Sequence, residues 1–321
     1  ARRLAREQEP RPCGYLAGHY QLLLVAPGQG GGRSGHRGGA HVVGVHDLLG
    51  MAPDRAPVYP LEGADEGAQV VTAVGGDGTA NEVLNGLMQA RQAGLGAPAM
   101  GVIGVGRGND FAFGVGVRAG LETGFQILTQ GVKKPMDVGF VRGGLYPQGR
   151  YFGNGVGIGF DAVVGFEALK LKRLHGFANY MVAALKTMFL YYRAPLVRIE
   201  LDTETVKLPA LMVSIMNGRR MGGGFMMAPT SKIDDGLLDL CIVGQVSRMG
   251  ILGLIPQFTK GTQAGHPKVS MQRSRLVKVI AEQGSLPAHA DGETLCTEGE
   301  SIEIELLPGV LEIVRSATEP E

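Results

Sequence analysis

Apolar positions change their spacing along the chain, and each spacing asks for a different backbone. Gln21 to Ala26 and Val70 to Val74 are short aliphatic runs, the pattern of strands covered on both faces. Asn81 to Gln92 follows the second run with Val83, Leu84, Leu87 and Met88 at helical spacing. Ala99 to Val105 reads as another strand, Leu121, Phe125, Ile127 and Leu128 mark a helix, and a strand is expected near Met136 to Val141. Strands alternating with helices predict a parallel sheet with ligands gathered at its carboxyl edge.

Past residue 150 the pattern changes. Tyr151 to Phe160 carries glycines at 153, 155, 157 and 159, as a closely packed strand or a ligand loop would. Asp161 to Tyr192 is helical, with Val163, Phe166, Leu169 and Leu174, then Met181, Leu185 and Met188, in register. Strands are expected at Leu196–Leu201, Val206–Met216, Leu237–Val243, Arg275–Ala281, Ser301–Leu306 and Val310–Val314, with Pro308-Gly309 as a turn between the last two. This strand-rich half predicts a β-sandwich. Gly35 to Gly67 is rich in Gly, Pro and His and predicts no definite element.

Composition sharpens this picture. At 321 residues and 44% hydrophobic content the chain can fill two cores, and its 52 glycines are dispersed among apolar runs rather than gathered in a low-complexity tract. A net charge of +1, from 31 basic and 30 acidic residues, provides no basic field for nucleic acid. Cys13, Cys241 and Cys296 are too scattered for a metal pair or a disulfide framework; Cys241 lies in an apolar run, and a reducing cytoplasm is expected. Ala1 to His19 is polar and reads as a frayed end or short leader rather than an export signal. No apolar run reaches the ~18 residues of a spanning helix, so any membrane contact is expected to be peripheral.

The chemistry concentrates where Val70–Val74 runs into Gly75-Gly76-Asp77-Gly78-Thr79-Ala80-Asn81-Glu82. A strand, a glycine turn and a helix present free amides and a positive helix end to phosphate. Asp77 would repel phosphate unless it orients a hydroxyl or a metal-bound water, which points to catalysis. The full string Gly-Gly-Asp-Gly-Thr-x-Asn-Glu-Val-x-Asn-Gly resembles the nucleotide-binding signature of the diacylglycerol kinase catalytic-domain family, related to sphingosine kinases and, more distantly, to NAD kinases. Gly104 to Ala112 is similar to that family's second signature at Gly106, Asn109, Asp110, Phe111 and Ala112, with Gly104 and Arg107 where the family has Pro and Thr. In the first loop only Pro27 and Gly30 match, Ala26 and Gln29 standing where the family has Asn and Ser.

The resemblance implies an N-terminal parallel-sheet, NAD-kinase-like nucleotide domain over 21–138 and a C-terminal β-sandwich lipid-substrate domain over 139–306, with strand 307–317 packing back onto the first. It assigns ATP to Pro27, Gly30, Gly75, Gly76, Asp77, Gly78, Thr79, Asn81, Gly106, Arg107, Asn109 and Asp110, with Arg107 expected to reach the phosphates and compensate for Ala26 and Gln29. Lys232-Ile233-Asp234-Asp235-Gly236-Leu237 is either a hairpin turn with solvated Asp side chains or the family's Mg²⁺ site, with Asp235 and the carbonyls of Lys232 and Leu237 as ligands. Asp291-Gly292-Glu293 is by itself a turn; by resemblance Glu293 is the proton acceptor of phosphoryl transfer, Asp291 its support, and neighbouring His289 an exposed turn residue. Lys170, Lys172, Arg173 and His175 form either a solvated helix face or a patch for anionic lipid, and Met221 to Met227 either core filling or an acyl-chain cleft. The expected activity is ATP-dependent phosphorylation of a lipid hydroxyl, diacylglycerol by default, at the cytoplasmic membrane surface, with a homodimer allowed. An NAD kinase-like enzyme and a catalytically weak lipid- or nucleotide-binding module are the alternatives.

Overall fold

The computed structural model describes residues 22–27, 41–44, 68–171, 176–191 and 194–317, the first two segments and Ala68 by backbone alone. Strands β3 (Ala68–Gly75) and β4 (Ala99–Gly104) pair in parallel from Val70↔Ala99 to Gly75↔Gly104, so both glycine turns leave the sheet at the same level. Helices α1 (Asp77–Gln92), α2 (Asp110–Gly114) and α3 (Leu121–Gln130) follow those strands. α1 lays Val83, Leu84, Leu87 and Met88 into a core with Val71, Met100 and Phe111. At the other edge, β1 (Leu22–Pro27) runs antiparallel both to β3 and to β2 (His41–Gly44), a departure from the all-parallel order expected there.

The chain continues through β5 (Val132–Gly143), β6 (Tyr146–Phe152), β7 (Gly155–Gly159), α4 (Phe160–Lys170), α5 (Phe177–Leu190), β8 (Leu196–Leu201) and β9 (Thr205–Met216). After β10 (Leu238–Gly244) come α6 (Arg248–Lys260), β11 (Val269–Ser274), β12 (Leu276–Gln283), β13 (Leu286–Ala290), β14 (Glu293–Gly299) and β15 (Ser301–Arg315). β9 joins two layers: its first half pairs with β8, its second with β7 and β10. Between the layers lies a second core containing Phe152, Ile158, Ile199, Ile215, Leu240 and Ile302. The fold is thus mixed α/β followed by a β-sandwich-like half.

The last two expected strands are one. β15 pairs with β12 from Ser301 to Glu305, with β5 from Glu303 to Leu307 and again from Leu311 to Arg315, and brings Ile313 into parallel register with Met100. Pro308-Gly309 is a bulge within it rather than a turn. The buried carboxylate of Asp137 explains the bulge, accepting from Gly309 N and from Gly236 N at 2.7 Å each. Gly309 takes φ +60°, which suits a residue without a Cβ. Because β5 is continuous through residues 138 and 139, the two halves share a strand pair rather than a linker.

Candidate active site at two glycine turns and a closing hairpin

The two glycine turns touch. A Cβ on Gly106 would stand 2.3 Å from the Gly76 Cα, so only glycine permits this approach. Val105 N donates to Gly75 O at 2.9 Å and continues the ladder past the strands. Among the described residues no side chain caps the N-terminus of α1, so its first-turn amides have no side-chain partner there. Asn109, at φ +53°, turns its amide back on its own loop, accepting from Gly106 N at 2.8 Å and donating to Gly106 O at 2.9 Å. It shapes the loop. Thr79 is buried, whereas Arg107 is exposed.

Asp110 opens α2 and accepts from Arg220 Nε at 2.7 Å and from Gly223 N at 2.8 Å. Arg220 also donates to Gly108 O at 3.0 Å and lies 4.1 Å from the centre of the Phe113 ring. It ties the second glycine turn to the C-terminal half, a role that the sequence reading did not foresee. Asp77, the first residue of α1, accepts from Phe111 N at 2.9 Å. Burial, then the neighbouring Asp110 carboxylate, pushes Asp77 up to about 7, and burial raises Asp110 as well.

The hairpin between β13 and β14 closes the site. Asp291 takes φ +48° at its tip and is buried. Its carboxylate accepts from Gly153 N at 2.8 Å, Gly155 N at 2.9 Å, Asn154 N at 3.1 Å and Asn81 Nδ2 at 3.0 Å. Four donors leave it no capacity to take a substrate proton. It anchors the hairpin. Asn81 donates also to Tyr151 O at 3.0 Å, and its Oδ1 accepts from Arg150 Nε at 2.9 Å. Both ends of that amide are therefore occupied inside the protein, which makes Asn81 a strut between α1 and the sandwich. Glu293 is half-buried, with Oε1 3.6 Å from where a Cβ on Gly78 would stand. It reaches the first turn of α1 from the far end of the sequence.

Asp77, Asp110, Asp161, Asp291, Tyr180 and His289 line a cleft of about 720 Å³ beside these loops. Next to it lies an apolar pocket of about 550 Å³ whose walls include Phe160, Leu211, Met212, Phe225, Met227 and Phe258. Phe225 and Met227 line both, so part of the Met221–Met227 stretch does face a cavity, although these side chains are also packed into a core cluster. Asp161 stands at the junction, accepting from Ser214 Oγ at 2.7 Å. His289 Nε2 is 3.9 Å from Asp161 Oδ1. The expected exposed turn position for His289 is corrected: it is 6% exposed, because it lies within β13 opposite Gly157, before the turn begins.

The Asp-Asp-Gly turn lies apart from this cleft. Asp235 Oδ1 accepts from Leu237 N at 3.2 Å and its other oxygen pairs with Arg273, while Asp234 pairs with Arg315. Arg273 Nε is 3.4 Å from Asp239 Oδ1, and the buried Asp239 Oδ2 accepts no hydrogen bond among the described residues. The place thus already holds a positive group against two carboxylates, one with an orphaned oxygen, which fits a cation. Among the described residues no three His, Cys, Asp or Glu side chains are arranged around a common metal position, so carbonyls such as those of Lys232 and Leu237 would have to complete the shell. Pro27 is described by backbone alone; Gly30, Gln29, Lys172, Arg173, His175 and Cys13 lie outside the described residues. Cys241 is fully buried.

Residues 51–141 match the family described as diacylglycerol kinase catalytic domain, and residues 154–315 match the YegS C-terminal NAD kinase beta sandwich-like domain. The chain is 33% identical over 272 residues to a probable YegS-like lipid kinase of Enterobacter sp., covering 83% of this chain and 85% of that one. It is 29% identical over 303 residues to a diacylglycerol kinase of Mycobacterium tuberculosis, covering 94% and 92%. A crystal structure of a putative diacylglycerol kinase from Bacillus anthracis has the same fold, with a TM-score of 0.63 at 24% identity over 80% of this chain and 81% of that one.

Proposed function

The chain belongs to the lipid kinases that join a diacylglycerol kinase catalytic domain to a YegS-type C-terminal domain, and on that premise we propose that it transfers the γ-phosphoryl group of ATP to the hydroxyl of a membrane lipid, diacylglycerol by default. The observation that carries this reading is the approach of Glu293 to Gly78, at the uncapped end of α1, in a cleft that adjoins an apolar pocket. The uncapped first-turn amides of α1 and its positive end suit the nucleotide's phosphates. The apolar pocket suits acyl chains, directing the glycerol hydroxyl towards the cleft. There the hydroxyl gives its proton to Glu293 as its oxygen attacks the γ-phosphorus, and the bond to the bridging oxygen breaks to release ADP. Asp77 and Asp110 put two carboxyls beside the loops, and Mg²⁺ accompanying the nucleotide would favour their ionised forms while neutralising phosphate charge. Asp291, Asn81 and Arg220 hold the loops in place.

Incubation with Mg-ATP and a panel of lipids, followed by ADP release and lipid phosphate by mass, tests the reading. Lipid phosphate is expected with diacylglycerol or a close relative. Phosphorylation of NAD alone would move the protein to the NAD kinase-like alternative, and nucleotide binding without turnover to the weak-module one. The reading carries with it a peripheral position at the cytoplasmic membrane surface; among the described residues no helix is long and apolar enough to cross a bilayer.

We also propose that the Asp235 turn takes a structural Mg²⁺, supported by the cation already paired there and by the orphaned Asp239 oxygen. A ligand held only by the folded state stabilises it. Chelation is therefore expected to lower the melting temperature of the wild type, and Asp235→Ala to melt lower and no longer respond. An equal chelator response in both proteins would leave Asp235 as an ion-pair partner of Arg273 alone.

A further inference from the structure

We propose that the outer face of α5, extended by the first turn of α6, is the surface on which this protein sits on a lipid bilayer. Val182, Leu185 and Phe189 recur at i, i+3 and i+7 on α5, so they share one face of that helix. They are 41%, 39% and 67% exposed, and Leu190 beside them is 59% exposed. Met249, in the first turn of α6, is 74% exposed. A helix that covers a core normally turns polar residues outward, and a contiguous apolar patch instead marks an interaction surface.

Its position selects the occupant. Ala184 of α5 and Ile251, Leu254, Ile255 and Phe258 of α6 wall the apolar pocket, so the same two helices show one apolar face to the pocket and another to the outside. A lipid leaving a bilayer at this face reaches the pocket with little apolar surface crossing water. The flanking charge agrees. Lys170 and Lys186 each lie 2.6 Å from the Glu167 carboxylate, two cations to one anion, while the Arg248 side chain, 5.7 Å from the Phe189 ring centre, shows that the start of α6 adjoins this strip. Cations beside an exposed apolar strip suit an anionic lipid surface. The inference rests on the lipid kinase reading, and adds to it the face and the residues that meet the bilayer.

The test uses the full chain and vesicles of phosphatidylcholine and phosphatidylglycerol without substrate. The double variant Phe189→Ser, Met249→Ser is expected to lose vesicle binding by about 10-fold or more, the scale for withdrawing two large apolar side chains from a membrane. Its activity on a water-soluble short-chain diacylglycerol should match the wild type, while that on vesicle-embedded lipid falls. The chain contains no tryptophan, so Phe189→Trp supplies a single reporter should the double variant fold poorly. Its emission is expected to shift to the blue when vesicles are added, whereas that of Leu145→Trp, a 70% exposed position, should not. Unchanged vesicle binding by the double variant, together with an unshifted emission from Phe189→Trp, overturns the proposal. So does a wild-type dimer that the double variant dissociates while vesicle binding persists, which would assign the face to a second copy of the chain. Lost vesicle binding with no lipid phosphorylated by either protein leaves the docking face standing and sinks the kinase reading instead.

Discussion

Glu293→Gln is expected to cut phosphoryl transfer by ~10²-fold or more, the usual loss on removing a general base, with thermal unfolding nearly unchanged. The carboxylate is half-buried and makes no hydrogen bond to any described residue, so the fold does not depend on it. Asp77→Asn should be at least as slow, but with a different stability signature. Asp77 rises from 3.8 to about 7, so between those values the folded protein holds a proton that the unfolded chain releases. Its contribution therefore falls as pH rises through that window, the reverse of a salt-bridged carboxylate. The neutral amide escapes this cost, and Asp77→Asn is expected to melt higher than wild type near about pH 8 while turning over slowly. Rates and melting curves across pH decide both points. Full activity in Glu293→Gln would remove it from the proton-accepting role, and a pH-independent stability difference in Asp77→Asn would mean that this carboxyl is ionised throughout.

The largest stability loss is expected at Asp291, two residues away from Glu293. Its side chain satisfies three backbone amides and the Asn81 amide, drawn from the link between β6 and β7, the first residue of β7 and α1. Asp291→Ala orphans all four donors at once, and each buried donor left unsatisfied costs about 1–3 kcal/mol, so a loss of several kcal/mol is expected. Asp291→Asn tells this apart from backbone strain. Asparagine accepts a left-handed conformation readily, yet its NH₂ would face donors. Asn should therefore suffer most of the loss that Ala does. Denaturant unfolding of both variants measures this, and a difference of less than about 1 kcal/mol between Asp291→Ala and wild type would show that the hairpin is held elsewhere. Activity should fall in both, because Glu293 loses its place against Gly78.

Much of this protein follows from local physics and could be read directly from the chain. The aliphatic run at Val70–Val74, the glycines after it and the helical spacing of Val83, Leu84, Leu87 and Met88 specify a strand, a turn and a helix without reference to anything distant. Leu196–Leu201 was expected as a strand and is β8, residue for residue. The family signatures were likewise local strings. Tertiary structure alone decided which polar groups meet. Asn81 and Asp291 are 210 positions apart, and nothing in either neighbourhood shows that each satisfies the other rather than a ligand. Arg220 belongs to Asp110, and Ser214 to Asp161, for the same reason. His289 was misplaced because Asp-Gly marks a turn without saying on which residue it starts, and one position decides which side of the sheet a side chain takes. Pro308-Gly309 looks like a turn by composition, but the distant Asp137 carboxylate makes it a bulge in a continuous strand. Periodicity reports the burial of a face; it carries no information about which buried partner lies opposite, because that depends on how sheets and helices close over one another.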